Sequence, residues 1–167
     1  KIADGLEAER HAAPIAGQCA TSSAVFFLGR GVDYPVAVEG SLKLKEVSYV
    51  FSDAYPAGEL KHGTLALVDE NTLSVFSICD PELSGKCESA VEQVVSRKGR
   101  AAVITTLPQV AESLKEVATV WLLPPCEARF SPFLSSVALQ LIAYKAAVTL
   151  NKDPDKPRNL AKSVTVE

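Results

Sequence analysis

The chain is 167 residues long, 47% hydrophobic and 22% charged, with 20 acidic side chains against 17 basic and a net charge of −3. This is the make-up of one soluble domain able to bury a real core. The mild acidity gives no footing for nucleic acid, and no uninterrupted apolar run reaches the length that spans a bilayer.

In chain order, residues 2–18 read as an opening helix. Ser23 to Leu28 follows as a buried strand centred on Val25, Phe26 and Phe27. A helix is expected over Pro35 to Phe51, a strand over Thr72 to Cys79, and a helix over Pro81 to Lys98. A third strand over Ala101 to Thr105 leads to a helix over Pro108 to Ala118. A fourth strand over Thr119 to Leu123 leads to a long apolar helix over Pro132 to Leu150. Asn151 to Asn159 is a Pro- and charge-rich bend that releases a C-terminal tail. Strands alternating with helices predict an α/β fold, a parallel sheet with helices on both faces. Continuous apolar strands agree, because such strands are buried on both sides. In open sheets of this kind the ligand crevice lies beyond the carboxyl ends of the strands, where Gly29-Arg30-Gly31 stands.

The first residues are polar and charged, unlike a secretory leader. The cysteines Cys19, Cys79, Cys87 and Cys126 form no C-x-x-C pair, and neither histidine completes a zinc spacing. Free thiols in a reducing cytoplasm are expected, with no metal and no cofactor. A chain that begins at Lys1 and contains no methionine reads as a piece of something longer.

The densest run of chemical groups is Glu39-Gly-Ser-Leu-Lys43-Leu-Lys45-Glu46, followed by Gly58-Glu59-Leu60-Lys61-His62-Gly63. Residues three or four apart share a helix face. Glu39, Lys43 and Glu46 therefore form one stripe, and Leu44, Val47 and Phe51 form another suited to a core. Glu46 is the first candidate for a general base, since an aimed, desolvated carboxylate can lift a proton from carbon beside a carbonyl. Lys43 and Lys45 would favour its ionised form. The alternative is a solvated face of salt-bridging charges. His62 suits proton shuttling near neutral pH, or is simply hydrogen-bonded. Gly58 and Gly63 suggest backbone that turns sharply or lies against a ligand. Arg30 could meet a phosphate or carboxylate, or pair with Glu39 or Asp33. In the tail, Pro157 fixes the course and bulky or branched residues offer anchors. Arg158 and Lys162 stand four apart, able to reach an anionic ligand if the tail packs into the crevice; otherwise it is a loosely held terminus.

Three segments together resemble the glutamine–fructose-6-phosphate aminotransferase family: Glu39 to Glu46, Ala57 to Gly63, and the ending Pro157-Arg-Asn-Leu-Ala-Lys-Ser-Val-Thr-Val-Glu167. The similarity runs from about Phe26 to Glu167 and is to the C-terminal half of the isomerase region, a sugar-isomerase (SIS) domain. It implies a three-layer, flavodoxin-like αβα sandwich over residues 1–167. Residues 1–20 would be an N-terminal helix or linker, and residues 151–167 a tail closing the active site.

The resemblance further implies the formation of glucosamine 6-phosphate from fructose 6-phosphate and glutamine-derived ammonia. The position of Glu46 moves the proton between C1 and C2. The position of His62 assists ring opening from a neighbouring subunit, and that of Lys162 is tied to ring opening. Glu39, Lys43 and Arg158 match other active-site positions. The implied partners are the phosphosugar, a preceding SIS domain, a glutaminase domain and a second copy in a homodimer. Thr64 and Ser41 depart from the family pattern, where Pro and Ala are usual.

The second predicted strand ends in Cys79-Asp80-Pro81-Glu82, whose acids would repel a phosphate and whose Pro removes a donor. The phosphate is therefore expected to be held by another domain, and the fragment to be inactive alone. The rival readings are a non-catalytic phosphosugar-binding module, and a structural half that only dimerises and channels ammonia.

Overall fold

The computed structural model describes residues 2–160, and side chains from residue 7 onward. The described residues hold five α-helices and five strands, joined by loops and short 3-10 turns: α1 (Ile2–Thr21), β1 (Ala24–Gly29), α2 (Asp33–Ser48), β2 (Ser52–Pro56), β3 (Thr72–Ser77), α3 (Ser84–Val95), β4 (Arg100–Thr105), α4 (Pro108–Leu114), β5 (Thr119–Leu122) and α5 (Ser131–Thr149). The strands form one parallel sheet in the order β2-β1-β3-β4-β5.

The sheet is covered on both faces, as its apolar strands require. Alternate residues of a strand point to opposite sides, so Val25 and Phe27 face α1, α2 and α5 while Phe26 and Leu28 face α3 and α4. Each large side chain fully withdrawn from water, such as Phe27 or Phe76, contributes about 1.5–3 kcal/mol. The expected three-layer α/β sandwich is the observed one.

Helices α3 and α4 are shorter than the sequence reading, ending at Val95 and Leu114, and two further departures bear on the site. Strand β2 was not expected. Its sequence Ser-Asp-Ala-Tyr-Pro is polar and short, and it pairs on one side only, with Val25 opposite Ser52 through Gly29 opposite Pro56. An edge strand tolerates the terminal Pro because no neighbour needs its missing N–H. The second is the end of α2, which stops at Ser48. Tyr49 takes a left-handed conformation (φ 65°) and returns its N–H to the Lys45 carbonyl. Phe51, expected on the core stripe, is instead 66% exposed, whereas Leu44 is fully buried.

Helix α5 is long and apolar enough to cross a membrane by length and composition. Here it packs along α1 and α2, with Ala138, Leu139, Ile142, Ala143, Ala146 and Ala147 in the core. Its approach to α2 depends on Gly40, where a Cβ would lie 2.6 Å from Leu139 and 3.1 Å from Phe27. The glycine inside the Glu39-Gly-Ser motif is thus a packing device, and it fixes the helix that carries the acidic and basic stripe.

Candidate functional site

Helix α2 turns its core face onto β1 and α5 and leaves Glu39, Lys43 and Glu46 on its partly open side. The Lys43 ammonium donates to Glu46 Oε2 at 2.7 Å and stands 3.9 Å from Glu39 Oε1. The three side chains are 38%, 32% and 29% exposed in that order. They form a continuous acid–base–acid line that a ligand can still reach. The Lys43 pKa is raised above 10.5, chiefly by the hydrogen bond to Glu46 and further by the charges of Glu46 and Glu39, against a desolvation that lowers it. Lys43 is therefore a fixed cation across the neutral range. It holds one oxygen of Glu46, and among the described residues the other oxygen accepts no hydrogen bond.

The neighbouring turns hold this helix in place. Ser41 lies on the buried side of α2, within 3.3 Å of the Ser52 hydroxyl, and Ser52 donates to the Ser41 carbonyl at 2.8 Å. These contacts tie α2 to the edge strand β2. Ser41 is thus a fastening between the site helix and the sheet.

His62 follows β2 in a single 3-10 turn, Leu60–His62, held by buried Leu60 and by the His62 N–H donating to the Glu59 carbonyl at 2.9 Å. Its imidazole is exposed, and within this chain no hydrogen bond or ion pair joins it to Glu39, Lys43 or Glu46 among the described residues. Gly63 ends the turn at φ 144°, a conformation that L side chains rarely adopt. Gly58 has a different role. The Arg30 guanidinium lies against it, 3.0–3.2 Å from where a Cβ would stand.

Arg30 forms no ion pair with Glu39 or Asp33 among the described residues. It instead lines a shallow recess of about 300 Å³ with Lys61, Lys86, Ser89 and Gln93. A larger recess of about 490 Å³ between α1, β5 and α5 is almost wholly apolar, with His11 stacked on Trp121 at its rim.

The tail folds back onto the end of α2. The Arg158 backbone N–H donates to the Tyr49 hydroxyl at 2.8 Å, and its guanidinium stacks 4.3 Å from the Tyr49 ring centroid. Lys152 approaches the same ring at 5.7 Å. Arg158 is thereby held against Tyr49, the residue that ends α2. Leu160, one of the bulky residues of the tail, is 53% exposed. Lys162 lies outside the described residues, as does the rest of the tail.

Tyr49 was not singled out by the sequence, because its partner is 109 residues away. Among the described residues no group of three His, Cys, Asp or Glu side chains is arranged to hold a metal ion. Cys19, Cys79 and Cys87 are buried thiols and Cys126 is partly exposed. Burial pushes Cys19 up to about 12 and Cys87 up to about 11, which keeps both as inert thiols rather than nucleophiles.

Comparison with known proteins places the fold in a family. Residues 20–150 match the model of the SIS domain family. A glutamine–fructose-6-phosphate aminotransferase (isomerizing) of Caldanaerobacter subterraneus subsp. tengcongensis is 51% identical over 144 residues, which are 86% of this chain and 23% of that protein. One from Bradyrhizobium diazoefficiens is 40% identical over 166 residues, 99% of this chain and 27% of that protein. Among solved structures, the C-terminal domain of glucosamine-fructose-6-phosphate aminotransferase from Francisella tularensis superposes with a TM-score of 0.84 at 36% identity, over 91% of this chain and 43% of that one. The chain thus spans about a quarter of the length of the curated relatives it matches.

Proposed function

Since this chain belongs to the SIS-domain family, we propose that it serves as the proton-moving half of the isomerase region of a glucosamine-6-phosphate synthase. The observation that carries the reading is the Glu39–Lys43–Glu46 line on α2, in which a carboxylate is held by an ammonium at 2.7 Å and stays partly open. Glu46 acts as the base that takes a proton from C1 of the open-chain C2 ketimine, formed from fructose 6-phosphate and ammonia with loss of water, and returns it to C2, leaving the C1 aldehyde and C2 amine of glucosamine 6-phosphate. Lys43 orients that carboxylate and Glu39 balances the cation. His62, exposed and remote from Glu46 in hydrogen bonding, works on the sugar ring of a second copy in a homodimer. Arg158, stacked on Tyr49, brings the tail to the sugar's edge, and Lys162, four residues on, serves ring opening.

The reading assigns the phosphate cradle and the ammonia supply to a preceding SIS domain and a glutaminase domain. It makes the 167-residue chain alone inactive. The test is to assay the protein as it occurs in its source cell, with fructose 6-phosphate and glutamine, beside the chain on its own. Glucosamine 6-phosphate is expected from a native chain several times heavier than 17.8 kDa, and none from the chain alone. A native chain of 17.8 kDa without this activity would overturn the proposal.

A further inference from the structure

The crevice at the carboxyl end of this sheet is filled by one of the protein's own side chains. In an open sheet of order β2-β1-β3-β4-β5 the connections from β1 and β3 depart in opposite directions, and the gap between them is where such folds bind ligands. Here that gap holds Asp33, the first residue of α2, which is 1% exposed. Its Oδ2 accepts the backbone N–H of Cys79 at 2.8 Å and that of Asp80 at 3.3 Å. Its Oδ1 accepts the Ser77 hydroxyl at 3.2 Å. All three donors stand at the end of β3, on the turn that leads to α3.

Two successive N–H groups and a hydroxyl converging on one anion are what a phosphate or carboxylate site is made of. Among the described residues no Lys or Arg forms an ion pair with Asp33. The carboxylate is held by these dipoles and by the start of α2. Burial pushes its pKa up, and the bonds from Cys79, Ser77 and Asp80 oppose that rise. Without them a carboxylate this deeply buried would be strongly disfavoured. On the far side, Gly29 brings β1 so close to Asp33 that a Cβ there would meet the Asp33 carbonyl. The backbone that carries the side chain is therefore held against β1, while the bonds from Ser77, Cys79 and Asp80 hold the carboxylate.

We propose that Asp33 is a built-in anion that occupies the oxyanion pocket between β1 and β3, so that this half of the fold excludes phosphate from its own crevice and any phosphate of the substrate must be held elsewhere. The acids at Asp80 and Glu82 discourage an anion from outside, while Asp33 removes the donors that would bind one. Loss of the carboxylate turns the turn 77–80 into a site for a small oxyanion. The inference needs neither Glu46 nor His62 and stands whether or not the proton-transfer reading does.

The experiment compares Asp33→Ala with the unaltered chain in thermal melts, in sodium phosphate and in sodium chloride at equal ionic strength. Phosphate stabilises most folded proteins by exclusion from their surfaces, so the unaltered chain supplies the baseline. The variant is expected to melt lower in chloride. Across the phosphate series it should gain several degrees more than the unaltered chain, along a saturating curve. Its Cys79 and Asp80 amide signals should shift with phosphate, while those of the unaltered chain stay still. Equal phosphate responses in the two proteins would overturn the proposal, and so would amide shifts of the same size in both. Should the Ala variant not fold in chloride, Asp33→Ser, which restores a helix-start hydroxyl but leaves the pocket open, is read in the same way.

Discussion

Glu46→Gln in the full-length protein is expected to lower turnover by about 10²–10⁴-fold, the usual contribution of a positioned general base. Gln keeps the shape of the side chain and its reach toward Lys43 but cannot take a proton. The lost ion pair is worth little to the fold. Glu46 is 29% exposed, and exposed pairs contribute about 0–1 kcal/mol. The variant should therefore melt within a few degrees of the parent, and kcat and kcat/KM should fall together. The pH dependence has a definite sign. Lys43 has its folded-state pKa raised above 10.5, so its contribution to stability is fully present through the neutral range and is lost only as pH climbs through the raised value. The small stability difference between Glu46→Gln and the parent is thus expected to be constant across neutral pH. Thermal melts check this and steady-state kinetics check the turnover; unchanged turnover would remove Glu46 from the chemistry.

Gly29→Ala is expected to cost about 3 kcal/mol of stability and to lower Tm by roughly 6–12 °C. The added Cβ would lie 2.8 Å from the Tyr34 backbone nitrogen and closer still to the Asp33 carbonyl. Both are main-chain atoms, so no side chain can swing away. The turn from β1 into α2 must open, which strains the Asp33 bonds to Cys79 and Asp80 and moves the helix that carries Glu46. Gly85→Ala is the matched control, since nothing lies within 4 Å of its Cβ position. It should be neutral or slightly stabilising, because Ala loses less chain freedom than Gly. Thermal denaturation of the two variants separates these outcomes, and equal melts would show that the turn relaxes without cost.

How much of this was legible in the sequence depends on the range of each interaction. Four strands could be read because Val25 to Leu28, Leu73 to Ile78 and Ala101 to Ile104 are runs buried by helices on both sides, and Val120 to Trp121 is apolar although only Trp121 of the edge strand β5 is buried. Strand β2 could not, because Ser52 and Asp53 look like loop. Only its pairing with β1 makes it a strand, and without it the position of the switch point is undefined. The Glu39–Lys43–Glu46 line was legible because helical spacing alone brings those residues together. The end of α2 was overrun by three residues, since nothing in the local sequence announces that Tyr49 turns left-handed; no Gly marks the stop.

The partners of Asp33 are 44 to 47 residues away, and Tyr49 meets Arg158 across 109. No pattern of neighbours reveals such pairs. Local reading offered Arg30 two carboxylates as partners, and the fold gave it a glycine and a basic recess instead. The chemistry written along a single helix was therefore readable, while the residues that aim that helix became visible only in three dimensions.

We propose that this chain supplies the proton-moving groups of a site shared between copies. Co-expressing full-length Glu46→Gln and His62→Asn chains with separate tags, and assaying the purified mixed dimer, tests this. If His62 of one copy serves Glu46 of the other, one of the two sites in that dimer is wholly unaltered. Activity should then return to about half that of the parent, although each variant alone is nearly inactive. A mixed dimer no more active than its two parts would place both residues in the same copy or outside the chemistry, and would contradict the account.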